Sequence, residues 1–418
     1  MVKAGKKKAV VPKLRFPEFA REALSEVRLS DVTAESSIRN GDGIPAGRVM
    51  GVSKVLGIVP MEERIVASDI ARYKLVRKDW FAYNPMRLNI GSIARWHGDD
   101  DILVSPDYVV FRCSDDSNSG IEPSYLDHFR QSAAWDAFVS DGGDGGVRVR
   151  IYYKDIARLE LALPQRAEQQ KIADCLSSLD ELIAAQGRKV EALKTYKRGL
   201  VQQLFPREGE TLPRLRFPEF RDAPEWDKIP LGDIAEIKLG KMLDANKHKT
   251  GRLLPYINNI SLRWNDVDTS NLPQMYFNDD ELERYGLKAG DVLVCEGGQP
   301  GRSAVWDGRL PELKFQKAIH RVRFSIPFEP RFLVFYLEAV AATTAFESLV
   351  TGGGIRHLTL ETFSRFQIPS IPLAEQRRVT DFLSSLSGEI AAEVEKLGAL
   401  KNHKKGLMQQ LFPSLEEA

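Results

Sequence analysis

Arginine, lysine and asparagine stand beside glycine at several places in this chain, and those residue types hold phosphate and read base edges. A basic run, Lys238, Lys241, Lys247, Lys249 and Arg252, precedes Asn258-Asn259 and Arg263-Trp264. Arg148 and Arg150 follow the turn Asp141-Gly-Gly-Asp-Gly-Gly146, Arg302 closes Gly297-Gly-Gln-Pro-Gly, and Arg356 closes Gly352-Gly-Gly-Ile. Arg87 and Asn89 lie in Tyr83-Asn-Pro-Met-Arg-Leu-Asn-Ile-Gly-Ser92, and Lys317 stands shortly before the strand candidate at 321–326. Arginine and asparagine read guanine and adenine by paired hydrogen bonds. Lysine neutralises phosphate and fixes register, and glycine lets backbone approach an anion closely. The candidate nucleic-acid-binding set is therefore Arg87, Asn89, Arg148, Arg150, Lys238, Lys241, Asn258, Asn259, Arg263, Arg302, Lys317 and Arg356. Any one basic loop reads equally well as a solvated surface; the weight comes from two segments built alike.

Catalytic signatures are poor. Gly297–Ser303 lacks the lysine of an ATP phosphate loop, and neither G-x-S-x-G nor H-E-x-x-H occurs. Tyr83-Asn84-Pro85-Met86 lacks the second proline and the aromatic of the adenine-methyltransferase motif, and no glycine-rich AdoMet loop accompanies it. Glu312-Leu-Lys314 with Asp307 upstream is half of a nuclease pattern, and reads better as a charged loop. His97, His320 and His357 are scattered, as structural or solvent-facing histidines are. Cys113, Cys175 and Cys295 are far apart, which suits neither zinc nor a disulfide framework and fits a reducing cytoplasm.

The elements that must position these residues announce themselves as a repeat. Leu163–Pro206 returns as Ile371–Pro413, aligning without a gap from Ala167 at an offset of 207 residues. In the first copy Ile172, Leu176, Leu179, Ile183, Val190, Leu193, Leu200 and Leu204 form a stripe with one position skipped. The second has Val379, Leu383, Leu386, Ile390, Leu397, Leu400, Leu407 and Leu411. This a/d pattern predicts two long helices forming a coiled coil. Pro164 and Pro372 suit entry turns, and Pro206 and Pro413 cannot continue a helix. About 39 residues give a rod of roughly 60 Å.

The repeat is larger than the helices. Pro12–Phe19, PKLRFPEF, recurs as Pro213–Phe220, PRLRFPEF. The expected organisation is an N-terminal tail and docking segment (1–19), a first globular domain (20–162), a central long helix (163–206), a second globular domain (207–370) and a C-terminal long helix (371–418). Each globular segment precedes its helix, so short connections favour antiparallel pairing with an internal pseudo-twofold. The N-terminal PKLRFPEF should then dock at the end of the second helix. Strands are expected at 108–113, 147–153, 291–296 and 321–326, and helices at 124–140 and 331–349. The fold class is α+β. The net charge of +1 does not announce a nucleic-acid binder. Lys3, Lys6, Lys7 and Lys8 read as a solvated tail. The chain has no apolar run of membrane-spanning length and no signal-peptide pattern, so a cytoplasmic protein with no membrane partner is expected.

These residues together resemble the specificity subunit of type I restriction–modification systems over essentially the whole chain. The carriers are Ala167-Glu168-Gln169 and Ala374-Glu375-Gln376, the GL-x-QQLFP helix ends, the LRFPEF segments, and Gly352–Leu360 leading to Ile368–Gln376. Pro255-Tyr-Ile-Asn-Asn259, Leu287-Lys-Ala-Gly-Asp-Val-Leu293 and Glu296-Gly-Gly298 look like the family's target-recognition pattern. Tyr83–Ser92 looks like a different subgroup and lacks the Gly-Asp-Val-Leu element. The resemblance implies two target-recognition domains, each reading half of a split, asymmetric site in double-stranded DNA. The paired helices would set the spacer and dock two modification subunits that methylate adenine at N6. Restriction subunits with the motor and nuclease would join the larger complex. It also implies a non-catalytic chain without a cofactor, since AdoMet, ATP and Mg belong to the partner subunits. The competing readings are a coiled-coil scaffold that reads no DNA and a stand-alone nuclease or methyltransferase.

Overall fold

The computed structural model describes residues 11–41, 43–61, 69–114, 120–141, 150–242, 251–341, 343–350 and 357–412. The helical stripe becomes two helices, Arg166–Leu204 and Leu373–Leu411, of 39 residues each. Ile172, Leu176, Val190, Leu200, Val379, Leu383, Leu386 and Leu411 are buried, and Leu179, Ile183, Leu193, Ile390, Leu397, Leu400 and Leu407 are half-buried. The skipped stripe position is polar in both copies. Gln186 is buried, and its counterpart Glu393 pairs with Lys189. A polar group in an apolar seam restricts which registers are tolerable.

By contact the chain divides into two compact units, residues 1–187 with 396–418, and residues 188–395. These limits cut through the helices, because the helix ends belong to globular cores. In the first unit Ile172, Ala173 and Leu176 of the first helix share a core with Met408, Leu411 and Phe412 and with Tyr125, Leu126 and Phe129. In the second, Leu200, Val201, Leu204 and Phe205 share a core with Val379, Leu383 and Leu386 and with Phe332 to Leu337. In each unit, then, the start of one helix lies beside the end of the other, which is antiparallel pairing. Ala173, Val201 and Met408 widen the apolar face beyond the seam, because a helix end must cover a globular domain as well as its partner helix.

The two sequence repeats meet at a buried ion pair. Glu168 and Glu375, in the first turns of the helices, are 0% and 1% exposed. Arg15 donates through Nε to Glu168 at 2.9 Å, and Arg216 holds Glu375 through Nε and Nη2 at 2.7 and 2.9 Å. Trp226 Nε1 adds a third donor to Glu375 at 3.2 Å. The carboxylate bond is the chief reason that the guanidinium pKa of each arginine lies above its ordinary value. Around each pair Phe16 lies under the Lys171 ammonium and Phe217 under the Arg378 guanidinium. Glu18 pairs with Lys171 and Glu219 with Arg378. The neighbouring glutamines hold the globular segments: Gln169 Oε1 accepts from Glu122 N at 2.7 Å and Gln376 Oε1 from Glu329 N at 2.9 Å. PKLRFPEF also reaches the end of the second helix, where Leu14 N donates to Gln410 O at 3.0 Å. Leu215 N does the same to Gln203 O at 2.9 Å in the second unit.

The globular segments share a plan that their sequences do not display. In the first unit, strands Thr33–Glu35, Val109–Cys113, Phe81–Tyr83 and Ile93–Arg95 form an antiparallel sheet in that order. In the second, Ala235–Leu239, Ile319–Phe324, Val292–Cys295 and Ser303–Val305 do the same. Each unit adds a second sheet containing one parallel pair. Val49–Ser53 runs beside Ile102–Val104, and Arg252–Ile257 beside Lys314–Phe315. Two-stranded ladders, Ser25–Arg28 with Glu160–Leu163 and Asp227–Pro230 with Gln367–Ser370, bring the ends of each segment together at its helix.

Three expectations need correction. Residues 150–152 of the strand expected at 147–153 are not in a sheet, and Tyr153–Ile156 is a short helix. The helix expected at 124–140 is two, Pro123–Phe129 and Ala133–Asp141, interrupted where Ser132 Oγ receives Trp135 N–H. The helix expected at 331–349 is likewise Pro330–Val340 and Thr344–Leu349, because Thr343 caps the second piece by accepting Phe346 N–H.

Removing one partner of a buried pair leaves an uncompensated charge. Arg216→Ala should therefore destabilise the chain by about 3–5 kcal/mol, read from urea unfolding. Arg216→Ala with Glu375→Gln should recover part of that loss. Equal losses in the single and double variants would show that the buried charge is not what makes the arginine necessary.

Candidate nucleic-acid interface

In the second unit two turns converge. Strand Val292–Cys295 runs into the glycine turn Glu296–Gly301, and strand Arg252–Ile257 runs into Asn258–Ser261. Arg302 joins them: Nη2 donates to Asn259 O and Nη1 to Gln299 Oε1 at 3.2 Å. Gly298 has φ +75°, and a Cβ there would stand 3.2 Å from Asn259 Nδ2, so both conformation and space call for glycine. Glu296 N donates to Ala318 O at 2.9 Å and Leu358 N to Glu296 O at 2.8 Å. Lys317 and His357 therefore flank the same turn, both exposed. Burial raises the Glu296 carboxyl pKa, and the nearby positive charge of His357 and Lys317 opposes the shift.

In the first unit the loop carrying Arg87 and Asn89 is met from two sides. Ile151 N donates to Pro85 O at 3.0 Å, which sets Arg150 beside the loop. Ser92 Oγ donates to Val52 O at 3.0 Å, which ties it to the hairpin Val49–Ser53 and Gly57–Pro60. The Lys54 stem at that hairpin's tip lies over Gly91. Lys54, Arg87, Asn89 and Arg150 are all exposed. Among the described residues no carboxylate forms an ion pair with Lys54, Arg87, Arg150 or Lys317.

The structure thus gathers Arg87, Asn89 and Arg150 in one unit and Asn259, Arg302 and Lys317 in the other. The remaining expected residues have other surroundings. Lys241 is half-buried: its Nζ donates to Tyr276 O at 2.8 Å, pairs with Glu281 and lies over the Phe277 ring. Its charge is satisfied inside the fold, and the sequence showed no sign of this because Glu281 is 40 residues away. Asn258 Oδ1 accepts three bonds from Ile260 and Ser261 and so shapes its own turn. Lys238 pairs with Glu236 at 2.6 Å, and Arg263, though exposed, with Asp268 at 2.6 Å. Arg148, Arg356, Lys247 and Lys249 lie outside the described residues. Lys54 and His357 were missed by sequence reasoning, since neither sits in a basic run. Among the described residues no cluster of metal-binding side chains is present, and no helix is long and apolar enough to cross a membrane.

Comparison with known proteins agrees with this architecture. The family model described as type I restriction modification DNA specificity domain matches residues 224–402, the second globular segment and most of its helix. The type I restriction enzyme MjaX specificity subunit of Methanocaldococcus jannaschii is 24% identical over 408 residues, 93% of this chain and 90% of that protein. The MjaVIII specificity subunit of the same organism is 24% identical over 269 residues, 62% of each chain. Among solved structures, a chain from a study of type I R-M complex assembly and conformational transition has a TM-score of 0.61 at 18% identity. That match covers 94% of this chain and 98% of that one. The S subunit from M. genitalium has a TM-score of 0.56 at 14% identity, covering 97% and 99%. Repeated helices and paired mixed domains are the fold that the chain shares with these solved structures. Over nearly its whole length the chain is similar to a type I restriction enzyme specificity subunit, and its second half matches the DNA specificity domain model.

One buried group beneath the second cluster gives a pH signature. His320 is 0% exposed, and its Nε2 donates to Leu358 O at 2.7 Å, holding the segment that carries His357. Burial pushes its pKa down from 6.5 to about 4. Between these values the unfolded chain binds a proton that the folded ring refuses, so this stability is complete above pH 6.5 and is lost as pH falls toward 4. Chemical unfolding of the wild type and of His320→Gln should show their difference shrinking on acidification by the order of 2–3 kcal/mol. A pH-independent difference would mean that the buried ring takes up its proton freely.

Proposed function

We propose that this chain supplies the DNA address of a type I restriction–modification complex and carries out no bond chemistry itself. The observation that carries the reading is the recurrence of one plan in both units: a basic turn cluster on a mixed domain that is built into the end of a helix pair. Each cluster would read one half of a split, asymmetric site in double-stranded DNA. Phosphate contacts by Lys54, Arg150 and Lys317 would fix register, and Arg87, Asn89 and Asn259 would approach base edges. Because the two clusters differ in sequence, the halves of the site differ too.

The paired helices would set the spacer and dock two modification subunits, which supply AdoMet and methylate adenine at N6; restriction subunits with ATP and Mg would join them. A scaffold that reads no DNA would have no use for two exposed basic turns whose Lys54, Arg87, Arg150 and Lys317 form no ion pair among the described residues, and this disfavours the second reading.

Base-resolved methylation mapping of host DNA, with and without this gene, tests the proposal. A split motif with methyladenine in both halves, lost on deletion, is expected. If methylation is unchanged and the assembled complex binds random DNA without preference, the address role is wrong.

The spacer role has its own test. Four residues inserted beside Gln186, matched by four beside Glu393, lengthen each helix by about 6 Å. The mapped spacer should grow while each half-site stays the same. An unchanged spacer with full activity would show that the helices are not the ruler.

A further inference from the structure

Each unit has a turn whose residues go against turn chemistry. In the first, strand Val49–Ser53 runs into Lys54-Val55-Leu56, and Ser53 Oγ accepts the N–H groups of Val55 and Leu56 at 3.3 and 3.2 Å. In the second, strand Arg252–Ile257 runs into Asn258–Ser261, and Asn258 Oδ1 accepts the N–H groups of Ile260 and Ser261, both at 3.0 Å. Both strands are the members of their sheets that form a parallel pair. Val55 and Ile260 each stand two residues after the capping side chain. They are 85% and 82% exposed, and Leu56 beside Val55 is 75% exposed.

Glycine, asparagine, aspartate and serine dominate turns, each for a conformational reason that valine and isoleucine lack. An aliphatic side chain left in water contributes no burial to the fold. Departures from local chemistry of this kind collect at functional positions. The same departure occurs in the turns that follow the parallel-paired strands of two domains whose middles do not align in sequence.

What surrounds these side chains identifies the partner. Lys54 precedes Val55 directly and lies over the loop of Arg87 and Asn89. Ile260 follows Asn259, which Arg302 holds, and Lys317 follows Gln316, whose N–H donates to Ile257 O at 2.9 Å just before the same turn. An apolar tip ringed by cations fits a surface with anionic walls and a small apolar target between them. In the DNA major groove the walls are phosphate, and the apolar group among the base edges is the thymine C5-methyl.

We infer that Val55 and Ile260 are specificity-determining residues that pack on thymine C5-methyl groups, one in each half of the DNA site, with Leu56 broadening the contact of Val55. This rests on the DNA-address reading above. It adds discrimination by aliphatic side chains to the base-edge hydrogen bonds of Arg87, Asn89 and Asn259, with the neighbouring cations holding the tips in the groove.

The test uses the chain assembled with its modification subunits and a duplex carrying the mapped motif. Each thymine is replaced in turn by deoxyuridine, which pairs identically but lacks the methyl group. The wild type should lose about fourfold in affinity at one thymine in each half. Ile260→Ser should abolish the sensitivity in one half only, and Val55→Ser with Leu56→Ser in the other half only. Both positions are on the surface, so unfolding midpoints should not move and the effect cannot be assigned to misfolding. A flat deoxyuridine series in the wild type, or variants that keep the wild-type sensitivity, would overturn the inference while a mapped split motif leaves the address role standing. Absence of any motif would sink both.

Discussion

A carboxylate in the first turn of each long helix is buried, and without the guanidinium that meets it this would be a large uncompensated charge. Much of the local architecture follows from that pair. Arg15 and Arg216 come from the LRFPEF segments, and Glu168 and Glu375 from the Ala-Glu-Gln segments. Their meeting fixes where the chain enters each unit relative to where its helix begins. The adjoining glutamine then bonds to a backbone N–H of the globular segment, so one short motif anchors both helix and domain. A bidentate arginine–carboxylate contact is geometrically exacting in a way that apolar packing is not, which suits a junction that must set an angle.

The helices combine two modes of burial. Their ends are wide apolar faces absorbed into globular cores, while their middles keep a narrower half-buried seam interrupted by Gln186 and Glu393. Apolar area stabilises the ends, and a polar seam position narrows the choice of register. Backbone hydrogen bonding fixes the rise of each helix, and polar groups narrow its register.

The surface clusters show how a protein with a net charge of +1 can present basic faces. Many of its cations are neutralised inside the fold. Lys241 is held by Glu281, Arg323 by Asp291 and Arg321 by Glu236. Lys54, Arg87, Arg150 and Lys317 have no such partner among the described residues. Local pairing, and not total charge, decides which cations are available to a phosphate.

The sequence by itself determined the helices, to their length of 39 residues, together with the repeat, the α+β class and the docking of PKLRFPEF at the end of the second helix. These rest on periodicity, proline placement and internal identity, all of which are local or self-referential. The fate of the expected binding residues was decided only by the tertiary structure. Whether Lys241 is a phosphate contact or an internal brace depends on Glu281, and whether Asn258 reads a base or shapes a turn depends on how the chain bends after Ile257. The breaks at Ser132 and Thr343 were also invisible, because a hydroxyl serves as a cap only where the backbone leaves the helix. Side chains carry their chemistry in the sequence, but their partners come from elements far away along the chain. Exposure, pairing and burial are properties of the fold.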